Sequence, residues 1–214
     1  AETTASICRA GCRAERIAGS AASIPPVRLP NAGRIMRPAP VASALTTAQV
    51  AALQTSDLQA MQTTDLRVLS TTQLGALTTS QLVALTTAHV AALGTSAVAA
   101  LTTDQIGAME TRDVAALRTT QVAALATAQL PALTTDQLAA LGTADVPALS
   151  TPTLRALGTA AVAALTTTQV DGLTSAQMVA LTTGQVAALG TAQVAAFSPA
   201  QLGWLAPNDL QALS

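Results

Sequence analysis

Few residues in this chain could do chemistry, and their spacing works against most of it. Cys8 and Cys12 form a C-x-x-x-C pair. A tetrahedral metal site needs about four ligands, and the single histidine, His89, lies far along the sequence. A local disulfide or two free thiols are the states expected of that pair, and no metal-ligand set is assigned. Five acids, Asp57, Asp65, Asp113, Asp145 and Asp209, recur at multiples of eight residues. Paired-carboxylate catalysis needs two acids in one enclosing pocket. A fixed repeat position instead suggests that they complement the positive end of short helices. His89 occupies the same repeat position and reads as a solvent-facing substitution on a polar face. The glycines occur singly, so there is no phosphate-cradling loop. No catalytic residue, cofactor or small-molecule substrate is therefore expected.

Composition points the same way. Half of the residues are hydrophobic, yet aromatics are 1% and charged residues 10%, against about 25% charged in an average soluble protein. Residues 1–44 carry six arginines (Arg9, Arg13, Arg16, Arg28, Arg34, Arg37) against Glu2 and Glu15, whereas the remainder carries four arginines against nine acids. A mildly acidic body lacks the continuous basic face that phosphate contacts require, so nucleic acid is not an expected partner. No run reaches the roughly 18 apolar residues of a membrane-spanning helix, and no membrane insertion is expected. The chain begins at Ala1 rather than Met, and its first stretch lacks the apolar core of a signal peptide.

What must position these residues is an eight-residue repeat running from Leu45 to the C-terminus. With Leu45 as position a, that position is large and apolar in all 22 occurrences, and position f, from Val50 to Leu210, is Val, Leu, Ile or Met in all 21. Position c is Thr in 18 of 21 copies, and position e is Gln or Asp in 17 of 21. The consensus is L-T-T-x-Q-V-A-A. One continuous helix would advance about 80° per repeat and wind its apolar stripe around the rod. A plain strand would put a and f on opposite faces. A short helix places f and the next a on one face and uses the Ala residues at g and h as good helix formers.

The fold class expected is therefore all-α: an α-solenoid, or superhelix, of very short helices, one per repeat. Each unit is expected to run from d to a, with a two-residue corner and with Thr at c as N-cap. Thr87, Thr95, Thr103, Thr127 and Thr183 are the caps of this reading. Leu85, Val90, Leu93, Leu125, Val186 and Leu189 are its core residues. Glycines at b (Gly94, Gly142, Gly158, Gly190) would follow helix C-termini, and Pro131 and Pro147 at g would sit awkwardly, where a helix wants an N–H. One Leu and one Val per eight ordered residues cannot stabilise a lone unit, so the units must stack.

Two regions stand outside the regular array. Residues 1–44, with Pro25, Pro26, Pro30, Pro38 and Pro40, read as an extended or disordered arm, leaving 45–214 as the solenoid. Near the other end Phe197 and Trp204, the only aromatics, are an atypical terminal repeat or an end contact. An apolar end invites a protein partner or self-association.

The exposed Thr ladder resembles the regular Thr arrays of ice-binding proteins, which would imply a surface that binds ice. Capping is the structural account of the same residues. The unit Leu85-Thr86-Thr87-Ala88-His89-Val90-Ala91-Ala92 resembles octapeptide tracts of large bacterial secreted or surface proteins. That resemblance spans Leu45–Ser214 and implies an extended structural or adhesive segment. Leu181-Thr182-Thr183-Gly184-Gln185-Val186-Ala187-Ala188 resembles the opening of TAL-effector DNA-binding repeats, which would imply nucleic-acid binding. The base-reading loop and second helix of those much longer repeats are missing here. The function expected is that of a non-enzymatic scaffold, spacer or interaction rod.

Overall fold

The structure, a computed structural model, describes residues 41–213. The proline-containing arm up to residue 40, with Cys8 and Cys12, lies outside the described residues. The described chain is all-helical: nineteen α-helices of four to six residues, from Thr47–Ala51 to Pro207–Gln211, and three 3-10 turns at Val41–Ala44, Leu130–Ala132 and Val146–Ala148. No strand occurs among the described residues.

Helices three units apart lie side by side. Thr63–Arg67 packs on Thr87–Ala92, Thr79–Val83 on Thr103–Ala108, and Thr151–Arg155 on Ser175–Ala180. Three octapeptides, 24 residues, thus make one turn of the superhelix, and the same helix recurs on the same face one turn later. The 3-10 turn Val41–Ala44 packs on Thr63–Arg67 in this register, and Ala42 is buried. The array therefore begins ahead of Leu45.

Positions a and f fill the interior. Leu85, Val90, Leu93, Leu125, Val186 and Leu189 are all buried in one continuous apolar cluster. Small residues at g and h let successive turns approach closely. At Gly107, an added Cβ would come within 3.0 Å of the Ala132 carbonyl oxygen one turn on.

The helix boundaries differ from the sequence expectation by one residue, and the reason is capping. Helices start at c, not d, and the N-cap is b. Thr86, not Thr87, accepts from the His89 N–H. Thr102, not Thr103, accepts from the Gln105 N–H, and Thr182, not Thr183, accepts from the Gln185 N–H. Thr87, Thr103 and Thr183 are first helical residues, as is Thr95, whose helix is capped by Gly94. Thr127 opens a turn that leads into the 3-10 segment Leu130–Ala132. The b residue has the extended backbone a cap needs: Thr134, for example, has φ −68° and ψ 163°. Eleven helices carry such a Thr or Ser side-chain cap. The b glycines Gly94, Gly158 and Gly190 are N-caps rather than C-terminal stops. Ser198-Pro199, which departs from the Thr-at-c pattern, still caps from b: the Ser198 hydroxyl accepts from the Gln201 N–H. Pro131 and Pro147 replace an N–H at g, and in both units the α-helix gives way to a 3-10 turn.

The shift is testable. Thr102→Ala should cost about 1 kcal/mol, the value of a lost N-cap. Thr103→Ala should stay within about 0.5 kcal/mol, as exposed substitutions do. Denaturant midpoints of the two variants separate the assignments, and equal losses would contradict the placement at b.

Candidate functional site

Position e lies four residues before the next a, so on a helix it shares the buried face. The structure puts it there. Gln73, Gln81, Gln105, Gln121, Gln129, Gln137, Gln169, Gln177, Gln185, Gln193 and Gln201 are buried. Each amide does two jobs. At Gln121 the Oε1 accepts from the Arg118 N–H, the N-cap amide of its own helix, at 2.7 Å. Its Nε2 donates to the Val90 and Leu93 carbonyls, 31 and 28 residues earlier, both at 2.9 Å. The same 28-residue bond joins Gln81 to Leu53, Gln129 to Leu101, Gln169 to Leu141 and Gln185 to Leu157. Only a side chain that accepts at one end and donates at the other can cap its own helix and staple the preceding turn. The repeat therefore favours Gln at e.

This corrects the expectation for His89. It is buried, with 5% exposure, not solvent-facing. One ring nitrogen, Nδ1, is 3.4 Å from the Thr86 N–H and the other is 2.9 Å from the Met61 carbonyl, which reproduces the two ends of a glutamine. Among the described residues no carboxylate bonds to it. The acids at e likewise do more than face a helix dipole. Asp113, Asp145 and Asp209 are buried. Asp145 accepts from the Gly142 N–H at 2.8 Å, and Asp209 accepts from the Thr183 hydroxyl of the preceding turn at 2.7 Å.

Asp113 is the least satisfied of these. Its Oδ1 is buried without a hydrogen-bond partner, and among the described residues the one cation near it, Arg112, is 3.9 Å away and exposed. Burial raises its carboxyl above the ordinary carboxylate value, Arg112 opposes the rise and Glu110 adds to it. Raising the folded-state value makes the native chain hold a proton that the unfolded chain has released. The stability linked to this group is thus fully present below the ordinary value near 4 and is lost as pH rises toward the raised one. Asp113→Asn should match the parent chain at pH 3 and exceed it increasingly toward pH 7. Parallel stability curves across that range would contradict the assignment.

The outward surface is formed by b, c and d, together with most residues at g. The c threonines are exposed at nearly every copy. Apart from Thr183, they hold no hydrogen bond to another turn among the described residues. Phe197 is buried, whereas Trp204 is 39% exposed at the end of Pro199–Trp204, a helix packed on Ser175–Ala180, which carries the 67% exposed Val179. The four arginines of the described chain are spread over three faces of the superhelix. Two open grooves flank helices, about 480 Å³ beside Glu110, Arg112 and Asp136 and about 550 Å³ beside Arg155 and Val179. Among the described residues no group of three or more His, Cys, Asp or Glu could hold a metal ion, and no helix is long and apolar enough to cross a membrane.

A family model described as the ALTTAQ repeat matches residues 50–87, 81–111, 106–143, 138–175, 146–183 and 171–207, overlapping matches that span most of the chain. No curated protein and no solved structure matches it.

Proposed function

The chain belongs to the ALTTAQ repeat family, and from that premise we propose that it is a non-enzymatic scaffold: a rod or spacer that sets a distance and offers a regular surface to a protein partner or to a second copy of itself. One observation carries this reading. The polar side chains that could serve chemistry, His89 and the glutamines at e, are buried and spent on joining one turn to the next. A stapled turn presents carbonyl acceptors on one side and amide donors on the other, the chemistry by which a further turn, or another copy, would add. The likeness to bacterial secreted and surface tracts supports a role outside the cell.

Small-angle scattering over a concentration series tests it. An elongated particle that grows with concentration supports the rod and its self-association. A compact particle, or turnover of any substrate that Asp113→Asn abolishes, would contradict it.

A second reading rests on the c threonines. Caps sit at b, so capping does not account for Thr at c in 18 of 21 copies. Exposed threonines repeat along each face at the spacing of stacked helices, about 8–10 Å. Such an array could order water or ice. A thermal-hysteresis measurement without a freezing gap would dispose of this reading.

A further inference from the structure

The staple is not present at every turn, and where it fails is not random. From Gln73 to Gln137 it is interrupted only singly, at Ala97 and Asp113; from Gln169 to Gln201 it is unbroken. Between these stretches three successive e positions, Asp145, Thr153 and Ala161, make no bond to the preceding turn. Asp145 turns to the Gly142 N–H of its own unit. The Thr153 hydroxyl lies 2.6 Å from that of Ser150, also local. Ala161 has no polar side chain. Three successive units are one full turn, so the gap runs around the whole circumference.

The carbonyls that would receive the missing amides are those 31 and 28 residues earlier: Val114 and Leu117, Val122 and Leu125, Leu130 and Leu133. Apolar packing continues through the gap, since Leu125, Leu133, Leu141, Leu149 and Leu157 are all buried. The two proline-containing 3-10 turns, Leu130–Ala132 and Val146–Ala148, stand on either side of it. In a stacked array, stability is the sum of unit and neighbour-interface terms. The interface lacking three buried double-ended amides is therefore the weakest one, and the two stapled stretches are the cooperative units on either side.

We infer that the rod is divided into two cooperative blocks that meet at a seam between Leu133 and Asp145, and that this seam is the joint at which it bends or parts. The joint is built into the sequence by three residues. It gives a repetitive array one defined place of movement.

Hydrogen exchange read by mass spectrometry tests this on the whole chain. Amides bordering the seam, in 119–166, should exchange at least about tenfold faster than the equivalent amides of 167–205, because each missing link is worth roughly that factor in opening. The triple variant Asp145→Gln, Thr153→Gln, Ala161→Gln should remove the difference. The converse variant Gln177→Asp, Gln185→Thr, Gln193→Ala copies the gap one turn and a third further along and should create a second fast zone there. If the first variant does not fold, the second still decides. Uniform protection in the parent chain, or no new fast zone in a folded converse variant, would overturn the inference.

Discussion

Gln121→Glu is expected to cost the folded chain about 3–5 kcal/mol at neutral pH, although it changes neither shape nor volume. Gln121 is fully buried. A glutamate can still accept from the Arg118 N–H, but it would set a charged oxygen against the Val90 and Leu93 carbonyls, which now receive hydrogen bonds at 2.9 Å. Two donors are lost, at about 1 kcal/mol each, and a buried charge without a partner adds several more. The side chain escapes part of this by taking up a proton, so its folded-state value rises. By the same linkage as at Asp113, the loss should shrink as pH falls from neutral toward about 4 and be smallest below it, where the unfolded chain also binds the proton. Urea denaturation at pH 7 and pH 3 reads both parts. A variant as stable as the parent at pH 7 would mean that position e does not carry the coil-to-coil bond.

Leu93→Ala is the second large effect. Leu93 is 1% exposed in the continuous core, between turns that pack on both sides, so the vacated volume has little to collapse into. Loss of the buried methyl groups and the residual cavity together cost about 2–5 kcal/mol. The same truncation at Leu210, 43% exposed in the last helix, should cost well under about 1 kcal/mol by the area it still exposes. Equal losses in the two variants would contradict the placement of a and f in this register.

Much of this architecture is legible in the sequence. The spacing of five and three between large apolar positions selects a short helix over a strand or a long rod, and one Leu and one Val per unit require stacking. The core residues follow from the same spacing. Two things do not follow as easily. Helix start is decided between two adjacent threonines, and consensus alone favours c because it is the stricter. The cap at b needs only an oxygen, so Thr, Ser and other residues serve there, and its looseness reflects tolerance rather than unimportance. Position e was readable as polar and outward because polar residues are mostly exposed. The signal against that lay in its substitutes: Gln, Asp, His and Thr can all accept a hydrogen bond from a cap amide, and e stands one helical turn before a. Three helices per turn depends on the corner angle at a and b, which no single residue type encodes. The exposed Trp204 and the seam at Asp145, Thr153 and Ala161 become meaningful only once that number is known.

On either side of the seam, buried glutamines join successive turns to the ones before them. Side-chain amide exchange by NMR, with Gln Nε2 protons assigned, tests it most directly. Eleven glutamine side chains, from Gln73 to Gln201, should show Nε2 protons protected from solvent and close to the residue 28 positions earlier, as Gln121 is to Leu93. Exchange at the rate of a free amide, or proximity at another spacing, would contradict the three-helix turn and the ladder that holds it.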